Sequence, residues 1–541
     1  CYRCQTLVEP NLSKQWFVKT RPLAEKAVDA VENGYTQIVP EKWKNDYYKW
    51  MENIRDWCIS RQIWWGHPIP AWKCADCGHL AVAFEDPQKC PACDSTRLEP
   101  DSDVLDTWFS SALWPFSTMG WPDKTRLLKT FYPTSVLVTG FDILFFWVAR
   151  MMMMGCHFMN EVPFRDVYVH ALVRDENGKK MSKSSGNVID PMVIIEEYGT
   201  DALRFTLAAF AAQGRDIKLS EKRIEGYRNF INKLWNAARL TLMHVTEKPG
   251  RIHPETLSLA DRWMLSRLNT VTHNMAAAID GYHFNTAANE VYQFVWHEFC
   301  DWYLEAAKPA LYGKWGEDCR QAALSVSWRV LHETLILLHA FVPFVTEEIW
   351  HLLPGTEGSI MKAVYPSDAP DFDQITSDPS AETDMTLVME IITGIRNIRG
   401  EMNIAPSLNL SVLVQTDNAA HQSLVRENQE LIANLARLEA LDVAPAGEKP
   451  KATATAIVDE LVISVYLEGV IDFAKESQRL EKEIAKLDKE IQALAKKLEN
   501  ENFISKAPAE VIEKARNQHN EYVEKQAKLK NNLHTIQTIS Q

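Results

Sequence analysis

A strand, an apolar helix and a second strand follow one another between residues 135 and 172 of this 541-residue chain. The run Ser135–Gly140 is β-branched and ends at a glycine, residues 143–159 are almost wholly apolar, and Asp166–Leu172 is another short apolar run. Strands joined through a helix pair in parallel, and parallel strands are buried on both faces. The unit therefore predicts a parallel α/β sheet rather than an antiparallel meander.

The apolar helix is too short and too polar to suggest a membrane span. Arg150 and His157 interrupt it, and a span needs about 20 apolar residues. No signal peptide is visible, so we expect a cytoplasmic protein that does not enter a membrane. The net charge of −14 argues against a dedicated nucleic-acid binder, although an acidic enzyme can carry a local basic face.

Composition and periodicity divide the chain into four predicted parts. Residues 1–216 have α/β character and include a Cys-rich insert at 72–100. Residues 217–355 carry apolar residues at helical spacing with few glycines or prolines, which is typical of a helical bundle. Residues 356–470 begin as a linker rich in Pro, Asp and Ser and continue as a small α+β unit, and residues 471–541 are helical. The predicted fold class is multidomain, α/β plus all-α.

The tail carries a heptad repeat. A break near residues 505–508 separates it from a second helical segment, for which Pro508 suits the first turn. Two helices joined by a short link predict an antiparallel coiled coil. The apolar positions of the repeat are Leu480, Ile484, Leu487, Ile491, Leu494 and Leu498.

Two C-x-x-C pairs lie close together in the insert. Cys74 and Cys77 are followed by Cys90 and Cys93. In a large chain without secretory features this spacing favours metal over disulfides. Four thiolates satisfy tetrahedral Zn²⁺ and leave no open position, so the site is predicted to be structural. An unmetallated loop and a pair of disulfides are the alternatives.

A third C-x-x-C pair lies at the extreme N-terminus. Cys1 and Cys4 form only a possible metal half-site, and His79 is a further possible but unneeded ligand of the insert. The chain begins without methionine and within this motif, so we expect a fragment of a longer protein.

Residues 178–187 form a loop suited to a polyanion. Two glycines bracket a run of lysines and hydroxyl side chains. Lysine supplies a compact charge that suits phosphate. If ATP is attacked at its α-phosphate, two lysines beside the departing pyrophosphate would stabilise the charge that develops there. The alternative is a solvated basic loop.

The string Lys180–Ser184 reads KMSKS and resembles the signature of the class I aminoacyl-tRNA synthetases. Its continuation at 185–191 is similar to the valine, isoleucine and leucine branch. The resemblance implies the C-terminal half of a Rossmann-like catalytic sheet, with Lys180 and Lys183 as catalytic contacts to the triphosphate of ATP, which is bound with Mg²⁺. The implied ATP-binding residues are Gly140, Asp142, His170, Lys180, Met181, Ser182, Lys183 and Ser184.

The resemblance also implies a pocket for the amino acid. Asp106–Ser111 looks like the valine-type version of its segment, and residues 140–143 match a G-x-D element at a strand end. A carboxylate there suits a ribose diol, although Asp142 could also cap the helix that follows. From aromatic content alone, Trp108 and Trp147 would instead be interpreted as core residues. The implied pocket residues are Trp108, Asp142, Ile143 and Trp147.

The helical parts complete the resemblance. Residues 228–236 resemble the start of an anticodon-binding domain, and 502–508 resemble the turn of a tRNA-binding arm. The implied function is ATP-dependent ligation of valine to valine tRNA by an enzyme expected to be monomeric. No H-x-G-H string, the second signature of class I, and no editing domain occur in these residues. We therefore expect the chain alone to be inactive. A non-catalytic tRNA-binding module and an isoleucine-type ligase are the alternatives.

Overall fold

The computed structural model describes residues 4–9, 12–182, 186–214, 216–370, 377–470, 473–500 and 509–539. The chain forms two compact units, residues 1–228 with 276–289 and residues 229–275 with 290–541. The helices are α1 Arg21–Glu32, α2 Lys42–Glu52, α3 Thr107–Ser111, α4 Trp114–Ser117, α5 Arg126–Phe131, α6 Ala149–Phe158, α7 Pro191–Tyr198, α8 Thr200–Phe210, α9 Glu221–His244, α10 Leu259–Asp280, α11 Phe284–Gln293, α12 Leu304–Leu311, α13 Glu317–His339, α14 Pro343–Leu352, α15 Pro379–Glu401, α16 Ala419–Glu427, α17 Gln429–Ala436, α18 Phe473–Glu499 and α19 Ala509–Ile539.

Most strands of the first unit have two to four residues, but two of them have seven, and the four strands of the second unit have six or seven. The strands are β1 Phe17–Val18, β2 Gln37–Val39, β3 Trp57–Cys58, β4 Ser60–Arg61, β5 Ala71–Cys74, β6 Leu80–Val82, β7 Leu98–Pro100, β8 Val104–Leu105, β9 Thr134–Gly140, β10 Phe164–His170, β11 Val173–Arg174, β12 Ile217–Lys218, β13 Leu410–Gln415, β14 Leu438–Ala444, β15 Thr453–Val458 and β16 Leu461–Tyr466.

The first unit is built on a parallel sheet in the order β2-β10-β9. Helix α6 connects β9 to β10 and packs against α1, with Met151 and Met152 fully buried between the elements. Apolar side chains on both strands, such as Leu137 and Val167, join the same core. The predicted parallel sheet is confirmed, because the helical crossover places both strands in one direction.

The apolar segment before β10 is not one regular helix. It begins as a 3-10 turn at Phe141–Ile143, continues as a π-helical stretch at Leu144–Val148 and becomes α-helical in α6. By length and composition Phe141–Phe158 is apolar enough to cross a membrane, but 56% of it is buried inside the protein. Burial of this extent is that of a core helix.

The second unit combines helices with a mixed four-stranded sheet. The sheet has the order β14-β13-β16-β15, and α15 packs against β15 and β16. Helix α13 is buried along most of its length, as a central helix of a bundle is. Helices α18 and α19 pack against each other, and Leu480, Ile484 and Leu487 are buried.

Candidate functional site

Strands β9 and β10 end side by side, and three predicted ATP-binding residues meet at that edge. Gly140 is the register partner of His170. A Cβ added at Gly140 would lie 2.6 Å from Oδ1 of Asp142 and 3.6 Å from Cε1 of His170. The carboxyl ends of parallel strands are where open α/β sheets bind ligands. The first unit thus places a glycine, a carboxylate and an imidazole at a suitable position.

Asp142 does not cap the helical segment in which it lies. The 3-10 turn begins after Gly140, and no side chain accepts a hydrogen bond at its start. The Asp142 carboxylate is exposed and lies over the glycine backbone. A side chain at residue 140 would therefore displace the Asp142 carboxylate. Glycine at this position leaves room for the carboxylate.

His170 is oriented by its own neighbour in the chain. Its Nδ1 lies 2.7 Å from the carbonyl oxygen of Ala171. A carbonyl oxygen can only accept, so Nδ1 donates and Nε2 is left as the acceptor of the neutral ring. The imidazole can accept a hydrogen bond at this edge of the sheet.

The signature loop starts from a second, smaller parallel ladder. Strand β11 pairs with β12, and Arg174 also forms an antiparallel bridge with Lys180. Lys180 is exposed, whereas Met181 and Ser182 are half-buried. Two further predicted residues, Lys183 and Ser184, lie outside the described residues.

The predicted amino-acid pocket residues fall on two segments that pack together. Trp108 lies in α3 and stacks on Phe146 of the π-helical stretch, with ring centroids 5.9 Å apart. Trp147 donates its indole N–H to the carbonyl oxygen of Ser111, 3.2 Å away. Ile143 is half-buried immediately before the stretch. A π-helical stretch turns successive side chains by less than an α-helix does, and such stretches are frequent at functional sites.

A residue that sequence analysis did not single out, Asp106, anchors this wall. Its carboxylate is buried and accepts a hydrogen bond from Trp57 Nε1 at 2.9 Å. Arg61 Nη2 lies 2.8 Å away and Arg150 Nη1 4.0 Å away. Its second oxygen caps α3 through the backbone N–H of Trp108. An aspartate directly before a short helix is the sequence signal that indicates such a cap.

Arg150 depends on Asp106 for its counter-ion. Its guanidinium lies over the Trp57 ring, 4.0 Å from the centroid, and burial lowers its pKa. Nη1 of Arg150 is buried without a hydrogen bond in the described structure. The positive charge of Arg150 is therefore stabilised by the face of the Trp57 ring and by the nearby Asp106 carboxylate.

The four insert cysteines converge as the spacing predicts. Their Sγ atoms all lie within 4.8 Å of one another, and Cys74 and Cys93 are 3.6 Å apart, as are Cys77 and Cys90. Tetrahedral zinc with bonds of about 2.3 Å requires sulfur separations of about 3.8 Å. The donor set fits a metal ion.

Two equivalent turns bring the cysteines together. The N–H of Gly78 bonds to the carbonyl of Cys74, and the N–H of Asp94 bonds to the carbonyl of Cys90, both at 2.9 Å. Gly78 has a φ of 71° and Asp94 a φ of 59°, so each turn closes through a left-handed residue. The first turn ends strand β5 of the three-stranded sheet β6-β5-β7.

Two other possible ligands do not join this group. His79 is not among the clustered ligands, and it is its carbonyl that bonds to the Cys74 N–H. The exposed Cys4 thiol donates to Thr6 Oγ1 at 3.2 Å, and Cys1 lies outside the described residues.

Three family models match successive parts of the chain. Residues 4–220 match the model for tRNA synthetases class I (I, L, M and V), and residues 261–414 match the anticodon-binding domain of tRNA ligase. Residues 472–537 match the valyl tRNA synthetase tRNA binding arm. The order of the models agrees with the α/β, helical and tail parts predicted from the sequence.

Curated relatives match the chain from end to end. A valine–tRNA ligase of Geobacter sulfurreducens is 56% identical over 100% of this chain and 61% of its own length. That of Thermotoga maritima is 49% identical over 99% of this chain and 60% of its own length. The chain thus spans about 60% of the length of the curated relatives it matches.

A solved structure shares the fold at low sequence identity. Mycobacterium tuberculosis methionyl-tRNA synthetase in complex with methionyl-adenylate is 20% identical with a TM-score of 0.50, and the match covers 64% of each chain. The successive family models and the relatives of about half identity along the whole chain lead to one assignment. This chain belongs to the class I aminoacyl-tRNA synthetases, in the branch of the valine–tRNA ligases.

Proposed function

We propose that this chain provides the signature loop, the adjoining half of the catalytic sheet and the tRNA-binding parts of a valine–tRNA ligase. The observation that carries the proposal is the KMSKS string at residues 180–184, which follows a strand pair ending in Gly140 and His170. The whole protein would join valine to ATP with loss of pyrophosphate, and then transfer valine from the adenylate to tRNA with loss of AMP.

In the first step the valine carboxylate attacks the α-phosphorus, and the bond to pyrophosphate breaks. Lys180 and Lys183 are proposed to contact the triphosphate and to stabilise the charge that develops on pyrophosphate. Asp142 is proposed to accept hydrogen bonds from the ribose hydroxyls, and His170 contributes an acceptor at the same edge. Mg²⁺ bound with ATP supplies further neutralisation of the phosphates.

The amino acid is proposed to bind between Trp108, Ile143 and Trp147. Bulky walls exclude side chains larger than valine by steric contact. They cannot strongly reject threonine, because its side chain has nearly the same shape as that of valine. The packing of α3 on the π-helical stretch supports this proposal. The Trp108 indole of α3 stacks on Phe146 of the stretch, and the Trp147 indole of the stretch bonds to Ser111 of α3.

The remaining parts are proposed to bind tRNA and to stabilise the fold. We assign residues 1–216 to the catalytic domain, 217–355 to anticodon binding, 356–470 to a linker with a small α+β unit and 471–541 to an antiparallel coiled-coil arm. The contact of Lys525 with Glu483, 3.6 Å, supports the packing of α19 on α18 that such an arm requires. The four cysteines are proposed to bind one structural Zn²⁺. The ligase is proposed to act in the cytoplasm as a monomer.

We expect the 541-residue chain to bind valine tRNA at least tenfold more tightly than isoleucine tRNA. The measurement is a filter-binding titration at two salt concentrations, since contacts to phosphates make the affinity fall with salt. Equal affinity for both tRNAs would contradict the assignment to the valine branch.

We expect no valine-dependent ATP–pyrophosphate exchange above background from the chain alone. The proposed half-site would offer contacts for ribose and triphosphate, whereas the H-x-G-H signature does not occur in the sequence. Turnover with valine, absent with isoleucine as the control amino acid, would show that these residues suffice for adenylate formation and would refute the expectation.

A further inference from the structure

Asn187, just beyond the signature string, joins three points of the loop through one side chain. Its Oδ1 accepts a hydrogen bond from the N–H of Ser182 at 3.0 Å. Its Nδ2 donates to Asp175 Oδ2 at 2.8 Å and to the carbonyl oxygen of Lys180 at 3.2 Å. The amide group of Asn187 thus links the backbone of Lys180 and Ser182 to the side chain of Asp175. We refer to the side chains of Asn187 and Asp175 with these bonds as the amide clasp.

The other half of the amide clasp is a rigid turn. Asp175 Oδ1 accepts hydrogen bonds from the N–H groups of Asn177 and Lys179, at 3.1 and 2.7 Å. The N–H of Gly178, which has a φ of 81°, bonds to the carbonyl of Asp175. Both oxygens of the carboxylate are therefore used. The hydrogen bond from Asn187 is the largest of the effects that lower the pKa of Asp175.

The turn is anchored to the body of the first unit. Arg174, directly before Asp175, forms an ion pair with Asp216 and belongs to the β11–β12 ladder. The N–H of Leu172 bonds to the same aspartate at 3.4 Å. The amide clasp consequently ties the backbone of Lys180 and Ser182 to a fixed part of the structure.

We propose that Asn187 is a positioning residue that holds the backbone of Lys180 and Ser182 in one arrangement, so that the lysine is presented to the ATP triphosphate. The inference rests on the proposed function, and it adds a residue outside the lysines and serines of the signature. Like charges in the loop repel one another, and a loop held in its binding conformation loses less entropy when ATP binds.

The bonding pattern favours positioning over general stabilisation. Two of the three bonds of Asn187 go to backbone groups of the signature residues, whatever side chains those residues carry. The groups lie at the surface or are half-buried, away from the core of the first unit. Loss of the amide clasp should therefore loosen the loop locally and leave the melting temperature of the chain within about 1 °C.

Limited trypsin digestion of the full 541-residue chain tests the proposal. Cleavage after Lys179 and Lys180, followed by mass spectrometry, is expected to be about tenfold faster in Asn187→Ala, because three hydrogen bonds are lost. The matched control is Asn177→Ala, since the described bonds of Asn177 in this turn use its backbone. The amide clasp would be overturned if Asn187→Ala were cleaved at the wild-type rate, or if Asn177→Ala were cleaved as fast as Asn187→Ala.

Exchanging the amide and the carboxylate between residues 187 and 175 tests whether these two side chains pair specifically or whether any polar residue at 187 is sufficient. Asn187→Asp alone places two carboxylates together and should be cleaved faster than Asn187→Ala. The double variant Asp175→Asn with Asn187→Asp restores the bond between the two side chains and the bond from Ser182, and it lacks only the bond to the Lys180 carbonyl oxygen, because a carboxylate cannot donate. We expect its cleavage rate within about threefold of wild type. If the double variant were cleaved as fast as Asn187→Asp, the pairing of residues 175 and 187 would be refuted.

Addition of Mg·ATP separates the amide clasp from the ATP role of the loop. ATP is expected to slow cleavage of the wild-type loop, and Asn187→Ala should need about tenfold more ATP for half of that protection. Equal half-saturation in both proteins would overturn the positioning role. No protection of the wild type would contradict the proposed ATP contact, whereas the amide clasp is judged by the cleavage rates without ATP.

Discussion

Replacing Cys90 by serine is expected to lower the zinc content of the purified chain from about one ion to less than about 0.1 per chain. The thiol of Cys90 is buried and its Sγ lies 3.6 Å from that of Cys77, so serine removes one of four ligands from a closed set. Structural zinc contributes on the order of 10 kcal/mol to the folding of small domains. The insert has three short strands, and its buried residues are Cys74, Ala81 and Cys90, so it has little apolar core of its own.

The measurement is metal analysis after dialysis, combined with trypsin cleavage after Lys89 and Arg97. Cys319→Ser is the matched control, because Cys319 is an exposed cysteine outside the cluster. Well below one zinc in the wild type, or full occupancy in Cys90→Ser, would contradict the proposed site. A thiol titration that finds the four cysteines oxidised would favour disulfides instead.

Replacing Asp106 by alanine is expected to destabilise the first unit by about 3 kcal/mol. The change leaves Arg150, whose side chain is 12% exposed, without its nearby carboxylate, and it removes the acceptor of the Trp57 indole. Removing one partner of a buried ion pair typically costs about 3 to 5 kcal/mol. Arg61 is 39% exposed, and solvent screens its share of the loss.

Hydrogen–deuterium exchange along a urea gradient, read in peptides covering 57–61 and 104–112, reports this loss within the first unit. Asp106→Asn keeps one acceptor oxygen, which can serve the Trp57 indole or the cap of α3 but not both through separate oxygens, so a smaller loss of about 2 kcal/mol is expected. Asp123→Ala is the control for removal of an exposed carboxylate. An unfolding midpoint of Asp106→Ala equal to that of the control would show that Asp106 does not anchor the wall.

Local periodicity and short motifs determined the larger elements from the sequence alone. Helix α6 and strands β9 and β10 follow from apolar runs of strand and helix length, because burial on both faces needs such runs. The cysteine spacing predicted one cluster, since each C-x-x-C pair makes a local turn. The class I signature identified the family, because its string is specific.

The tertiary structure decided which distant residues meet. Trp57 and Asp106 are 49 positions apart in the sequence, and no local pattern relates an indole to a carboxylate over that separation. The sequence also predicts an ordinary apolar helix where the π-helical stretch presents Phe146 to Trp108, because π and α turns share the same composition. Asn187 appeared as one more polar residue after a glycine, and its three bonds depend on how the loop folds back on Asp175. The sequence by itself determined local conformation and family through short-range patterns. Long-range pairing of buried charges, rings and amides was decided only by packing, because it depends on the positions of whole elements.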